Sequence, residues 1–240
     1  MYKSGQFFRR VEKNCWCLSE RCKDMHRTNV DIQVLSTVPV MFNYWAKPQH
    51  THDLSRFLND DLAGQILRND ADEESEKKFY GFGTLPMQCP ELAVEEMTRC
   101  CQDLHLNGIQ IGSHINDWNL DDKNLYPIWK RAEELNCPIF VHPWDMDHVS
   151  RTTKYWLPWL VGMPAETATA ICCILMGNVL TQFPKLKFCF AHGTNFKKEI
   201  TTTNVIISCL MILFIKKKGV VSFPFTIGRI QHGYYVRPDL

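Results

Sequence analysis

Short, almost unbroken apolar runs recur along the chain, and longer stretches whose apolar residues fall three or four positions apart lie between them. The runs at 30–37 (VDIQVLST), 79–86 (FYGFGTLP), 108–114 (GIQIGSH), 137–143 (CPIFVHP) and 185–193 (KLKFCFAHG) are predicted strands, being of strand length and rich in β-branched and aromatic residues. Helical spacing fills the intervals. Pro90 suits a first helical turn, and Ala93, Met97, Cys100 and Leu104 then recur on one face. Asp121 or Asp122 is placed to cap a second helix, whose apolar face is Leu125, Ile128, Trp129, Ala132 and Leu135. After Glu166 the pattern Ala170, Ile171, Ile174, Leu175, Leu180 is apolar almost all round and predicts a buried helix.

Strands alternating with helices, each strand apolar on both faces, predict an α/β fold with a parallel sheet covered by helices. A doubly wound sheet usually carries a glycine-rich phosphate turn after an early strand, and no such turn is present. A (β/α)8 TIM barrel instead gathers functional residues at the carboxyl ends of its strands, which is where His114, His142 and His192 fall. The expectation is therefore one domain over 1–240, an incomplete barrel, since about five strands are visible where a full barrel has eight. Two segments disturb the pattern. Residues 68–78 (RNDADEESEKK) read as a solvated loop. Residues 194–222 open polar, turn almost wholly apolar from Val205 to Ile215, and close on three lysines. That apolar run is short of the roughly 20 residues that span a bilayer, which leaves a buried helix, an interfacial anchor, or an atypical insertion foreign to the fold.

Composition narrows the partners. With 45% hydrophobic and 22% charged residues and a net charge of +1 over 240 residues, the chain has a sizeable core and no basic stripe, so neither nucleic acid nor membrane is an expected partner. Eleven cysteines are scattered and odd in number, and the Cys15-x-Cys17 pair has no companion at zinc-ribbon spacing; reduced cytosolic thiols are expected. The opening residues MYKSGQFFRR lack the apolar stretch of a secretory signal.

The candidate chemistry lies at the strand ends. His142 and His192, 50 residues apart, each close an apolar strand and are followed by Pro143 and Gly193. Barrel strands deliver such side chains into a shared mouth, where neutral imidazoles can hold a metal or carry protons. His50-x-His52 follows Pro48 and opens a helical pattern; the shared face that a strand would give this pair is not supplied there, and an exposed helix entry is expected. Arg9 and Arg229 are candidate carboxylate forks.

Several blocks together carry a resemblance: LSTVPVMFNYWAKP (35–48), GFGTLPMQCPELAVEEM (81–97), FVHPWDM (140–146), KYWLPWLVGMPAET (154–167), FPKLKFCFAHG (183–193) and FPFTIGRIQHG (223–233). They resemble the family of metal-dependent amidohydrolase-type decarboxylases that act on 2-amino-3-carboxymuconate 6-semialdehyde. The resemblance implies a zinc barrel that releases carbon dioxide from this small molecule in the kynurenine branch of tryptophan breakdown, limiting quinolinate and NAD synthesis. It further implies a cytosolic homodimer. His142 falls on a zinc-ligand position, His192 on the general acid/base, Arg9 on a residue that binds substrate carboxylate, Trp159 on a pocket aromatic and Arg229 on an arginine donated across the dimer. The family's first strand ends in His-x-His and a late strand carries an aspartate ligand; neither matches a stretch of this sequence, and 194–222 interrupts the family pattern. Of the four implied protein ligands His142 alone is matched. Two expectations follow from this: a decarboxylase, or an inactive form that at most dimerises with a complete subunit.

Overall fold

The computed structural model describes residues 2–3, 5–7, 10–70, 77–146, 150–152, 154, 157–192 and 205–207. A two-residue antiparallel ladder, β1 (Tyr2–Lys3) with β2 (Gln6–Phe7), precedes the main body. From there strand and helix alternate: α1 (Leu18–Thr28), β3 (Gln33–Ser36), α2 (Pro48–Asp70), β4 (Phe79–Thr84), α3 (Pro90–Gln102), β5 (Gly108–Gly112), α4 (Tyr126–Glu134), β6 (Ile139–His142), α5 (Met163–Met176), α6 (Val179–Gln182), β7 (Phe188–Phe190) and β8 (Val205–Ile207). Strands β3 to β8 form one parallel sheet in sequence order. Unbroken sequential order with a helix after successive strands is the winding of a (β/α)8 barrel, and the described residues form an open segment of six of its eight strands.

All five predicted strands are present, each shorter than its apolar run. Within 194–222 the described residues Val205–Ile207 form a sixth strand alongside β7, where a helix or an anchor is among the expectations, and the rest of that segment lies outside the described residues. An apolar run without turn residues does not by itself distinguish the two. In residues 68–78, the first three end helix α2, Lys77 and Lys78 are exposed, and 71–76 lie outside the described residues.

Alternation along the strands builds the core between sheet and helices. Ile109, Ile111, Ile139, Val141, Phe188 and Phe190 point outward and are at most 1% exposed. They meet α3, α4 and α5, where Trp129 packs edge-on against Phe188 (5.5 Å, 76°) and donates its indole N–H to Leu120 O. Helix α2 lies directly on β4, because any side chain at Gly81 would stand 2.7 Å from Leu106 and 2.9 Å from Ile66. The start signals act as predicted: Pro90 opens α3, and the Asp122 carboxylate accepts from the backbone of Asn124 ahead of α4. Helix α5 departs from its prediction. Only Thr167, Ala170, Ile171 and Ile174 are buried, so one face meets the core while the other apolar side chains are partly exposed. With the turn before it, the helical stretch Pro158–Met176 has a mean hydropathy of 1.5 and is long enough by composition to cross a bilayer, a property core helices also have.

His50 and His52 also separate. Two residues along a helix turn the chain by about 200°, so α2 exposes His50 and buries His52 at 5% exposure, 4.0 Å from the Glu96 carboxylate. The predicted exposed entry is right for the first histidine and wrong for the second. Neither geometry is that of a paired metal grip.

Candidate functional site

Register sets the level of the site. Gly112 on β5 pairs with His142 on β6, and Ala191 donates its N–H to Val141 O, so the carboxyl ends of β5, β6 and β7 stand side by side. His142 closes β6 and is buried, with its Nδ1 2.7 Å from the carbonyl oxygen of Pro143. That contact requires the proton on Nδ1 and leaves Nε2 as a bare lone pair. His192, two residues past β7, adopts the left-handed conformation at φ +63°, uncommon for a residue with a side chain and a source of local strain. The turn brings its ring onto that of His142: Nε2 to Nε2 is 3.1 Å, with ring centroids 4.8 Å apart at 80°.

The expected convergence is therefore present for this pair. Burial holds both imidazoles neutral: desolvation lowers the His142 pKa to about 4, against the smaller effect of the Pro143 hydrogen bond, and desolvation also lowers that of His192. A stability prediction follows for the metal-free chain. Between pH 6.5 and about 4 the unfolded chain holds a proton on this histidine that the folded chain refuses. Stability is therefore full above pH 6.5 and falls as the pH drops toward 4, by roughly 3 kcal/mol for His142 alone. Urea midpoints at pH 7 and pH 5 measure it. The drop is expected to shrink in His142→Asn; a drop of unchanged size in that variant contradicts the assignment.

Around the pair stands an aromatic wall that sequence reasoning did not single out. Phe42 and Tyr44 stack at 5.4 Å and 7°, and Trp144 meets both edge-on. The buried Tyr44 hydroxyl accepts from the Gly112 N–H, pinning the loop after β3 over the end of β5, and burial raises its phenol pKa. Ser113 accepts from the Trp144 N–H and donates to Glu166 on α5. His114, the third histidine near a strand end, directs its ring nitrogens at the carbonyl oxygens of Asn116 (2.8 Å) and Trp144 (3.1 Å), so it braces the rim. Trp159 lies in the turn Pro158–Gly162 that leads into α5, 51% exposed beside Leu160 and Val161. Arg9 and Arg229 lie outside the described residues.

The fit to a metal is partial. Two imidazole nitrogens bound to one zinc at 2.0–2.1 Å stand about 3.1–3.4 Å apart at angles of about 95–110°, and the observed Nε2 separation is 3.1 Å. Among the described residues, however, no group of three His, Cys, Asp or Glu side chains is arranged to hold a metal, whereas catalytic zinc usually has three protein ligands.

Comparison with known proteins gives a consistent family. The pattern of the amidohydrolase family matches residues 8–203. The chain is 48% identical over 240 residues to the 2-amino-3-carboxymuconate-6-semialdehyde decarboxylase of Dictyostelium discoideum, covering all of this chain and 58% of that relative's length. Among solved structures it is similar to 5-carboxyvanillate decarboxylase from Sphingomonas paucimobilis, with a TM-score of 0.65 and 27% identity over 72% of this chain and 50% of that one. It is similar also to a dihydroxybenzoic acid decarboxylase from Polaromonas with bound manganese and an inhibitor, with a TM-score of 0.62 and 25% identity over 72% and 53% of the two chains.

Proposed function

The chain belongs to the amidohydrolase family, and from that premise we propose that it is a metal-dependent decarboxylase of small unsaturated carboxylates. The substrate of this reading is 2-amino-3-carboxymuconate 6-semialdehyde, converted to 2-aminomuconate 6-semialdehyde and carbon dioxide without oxidation, in tryptophan breakdown in the cytosol. The carrying observation is the imidazole pair at the carboxyl ends of β6 and β7. Support for the substrate comes from 48% identity along the whole chain to a relative of that name.

Decarboxylation replaces a carbon–carboxylate bond by a carbon–hydrogen bond, so a proton must reach the carbon that retains the electron pair. His192 is the group of this chain suited to deliver it. Neutral, partly buried and held against the Nε2 lone pair of His142, it can take a proton from solvent and pass it on. His142 would hold a divalent metal, zinc in this reading, through the same Nε2, the metal then replacing the His192 N–H at that lone pair. When bound, such an ion supplies Lewis acidity and an acidic water. The described residues offer no third donor, so the chemistry assigned here is that of the side chains themselves. Arg9, and Arg229 from the other subunit of a homodimer, would clasp the carboxylates, and Trp159 would flank the substrate.

The donor count also favours a second reading, in which the 240-residue chain by itself binds no metal and is inactive. Metal analysis of the purified chain, supplied with zinc or manganese, and spectroscopic measurement of substrate loss separate the two. One metal per site with turnover is the expected result. Neither metal nor turnover would establish the inactive form.

A further inference from the structure

One layer below the histidine pair the inner wall of the sheet carries two buried side-chain oxygens that have no partner among the described residues. Thr84 on β4 and Gln110 on β5 are paired in register, and Gln110 is paired in turn with Phe140 on β6. Their side chains face inward. Side chains built at Gly81 and Gly83 would strike the helices and Cys100, which puts Phe82 and Thr84 on the opposite, inner face of β4. On β5 a side chain at Gly108 would strike the Phe82 ring and one at Gly112 would strike Trp144, so the inner positions of that strand are Gly108, Gln110 and Gly112, and Gln110 alone projects a side chain.

Thr84 is 2% and Gln110 1% exposed, yet Thr84 Oγ1 and Gln110 Oε1 find no hydrogen-bond partner among the described residues. The backbone of Thr84, by contrast, is satisfied on both sides, its N–H donating to Asn59 Oδ1 and its carbonyl accepting from Asn59 Nδ2. The strand is thus anchored and only its side chain is unpaired. Leaving a buried hydroxyl or amide oxygen unpaired is costly, and two such oxygens side by side on the inner face of the sheet call for a ligand that pairs them. His142 lies one strand over and two residues further along, about 8 Å from Gln110 between backbones, which one small substrate bridges. Phe82 and Phe140, 5.8 Å apart, supply an apolar flank.

We propose that Thr84 and Gln110 form a specificity subsite that receives an uncharged amino or hydroxyl substituent of the substrate while its reacting carbon meets His192. Charge decides the ligand class. A carboxylate is best held by an arginine fork or another cation, and the inner positions of β4, β5 and β6 carry no Lys or Arg. A threonine hydroxyl and a primary amide each donate and accept, which matches a neutral group that does the same. The inference rests on the decarboxylase reading for the class of molecule, and within it assigns the 2-amino group of the proposed substrate to this pair.

Calorimetric titration of the full chain with 2-aminobenzoate and with 2-methylbenzoate, equal in size, tests the subsite without turnover. The amino compound is expected to bind about 10-fold tighter, and Thr84→Val or Gln110→Met to cut that preference to about 2-fold or less. Affinity for the methyl compound should be unchanged in both variants, which shows that they are folded. Equal binding of the two probes by the natural chain, binding of neither, or a preference that survives both substitutions overturns the proposal. Substrate loss measured on the same preparations keeps the two claims apart. A preference lost in the variants without any turnover leaves the subsite standing and removes the decarboxylase; turnover without preference does the reverse.

Discussion

Replacing His192 by asparagine is expected to lower kcat for decarboxylation by about 10²- to 10⁴-fold, the range for loss of a positioned proton carrier. KM should change far less, because the proton moves only in the chemical step. Asparagine is the informative substitution here. It tolerates the left-handed backbone that position 192 adopts at φ +63°, as Asn29, Asn43, Asn116, Asn136 and Asn178 show elsewhere in this chain, so the turn is kept while the imidazole is lost. In the natural chain kcat should also fall as the pH rises through the lowered pKa of this imidazole, a loss that sets in below the ordinary histidine value of 6.5. A His192→Asn variant with unchanged kcat, or one changed only in KM, contradicts the role given to this residue.

The largest stability effect is expected at Trp129. Its ring is fully buried between α4 and the outer face of the sheet, packs edge-on against Phe188, and gives its one donor to Leu120 O at 3.2 Å. Trp129→Ala removes the largest fully buried side chain among the described residues, creates a cavity under β7, and leaves that carbonyl unpaired. The cost is about 3–5 kcal/mol, a large share of the stability of an ordinary domain. Because β7 leads into His192, the imidazole pair should loosen with it. Urea denaturation gives the measurement: a midpoint within experimental error of the natural chain would mean that Trp129 is not where the core is tightest. Trp129→Phe, which keeps the aromatic contact and loses only volume and the hydrogen bond, should recover more than half of the loss.

How much of this was legible in the sequence depended on local signals. Strands β3 to β7 read from periodicity because parallel strands buried on both sides are almost continuously apolar. Strand β8 did not, since Val205–Ile207 begins an apolar run that continues to Ile215 with no turn residue to bound it. Helix α5 read as wholly buried because its composition is apolar all round, but an open barrel segment covers only one of its faces. His52 was misplaced because a helix turns positions two apart away from each other, and the second met the buried Glu96. For the site, two histidines ending two strands announced a common cavity. The 3.1 Å contact could not be read, as it depends on the backbone turn at His192 and on the Pro143 carbonyl that fixes the His142 tautomer. Thr84 and Gln110 gave no signal at all: each is an ordinary polar residue in a strand, and only register and the lack of a partner among the described residues single them out.

The proton-carrying role assigned to His192 rests on its meeting the bare Nε2 of His142, and nitrogen-15 NMR of the imidazoles at pH 7 tests that meeting most directly. The expected spectrum shows both rings neutral, His142 protonated on Nδ1 alone, and its Nε2 resonance displaced when His192 is replaced by asparagine. A His142 protonated on Nε2, or one whose resonances ignore the substitution at 192, would contradict it.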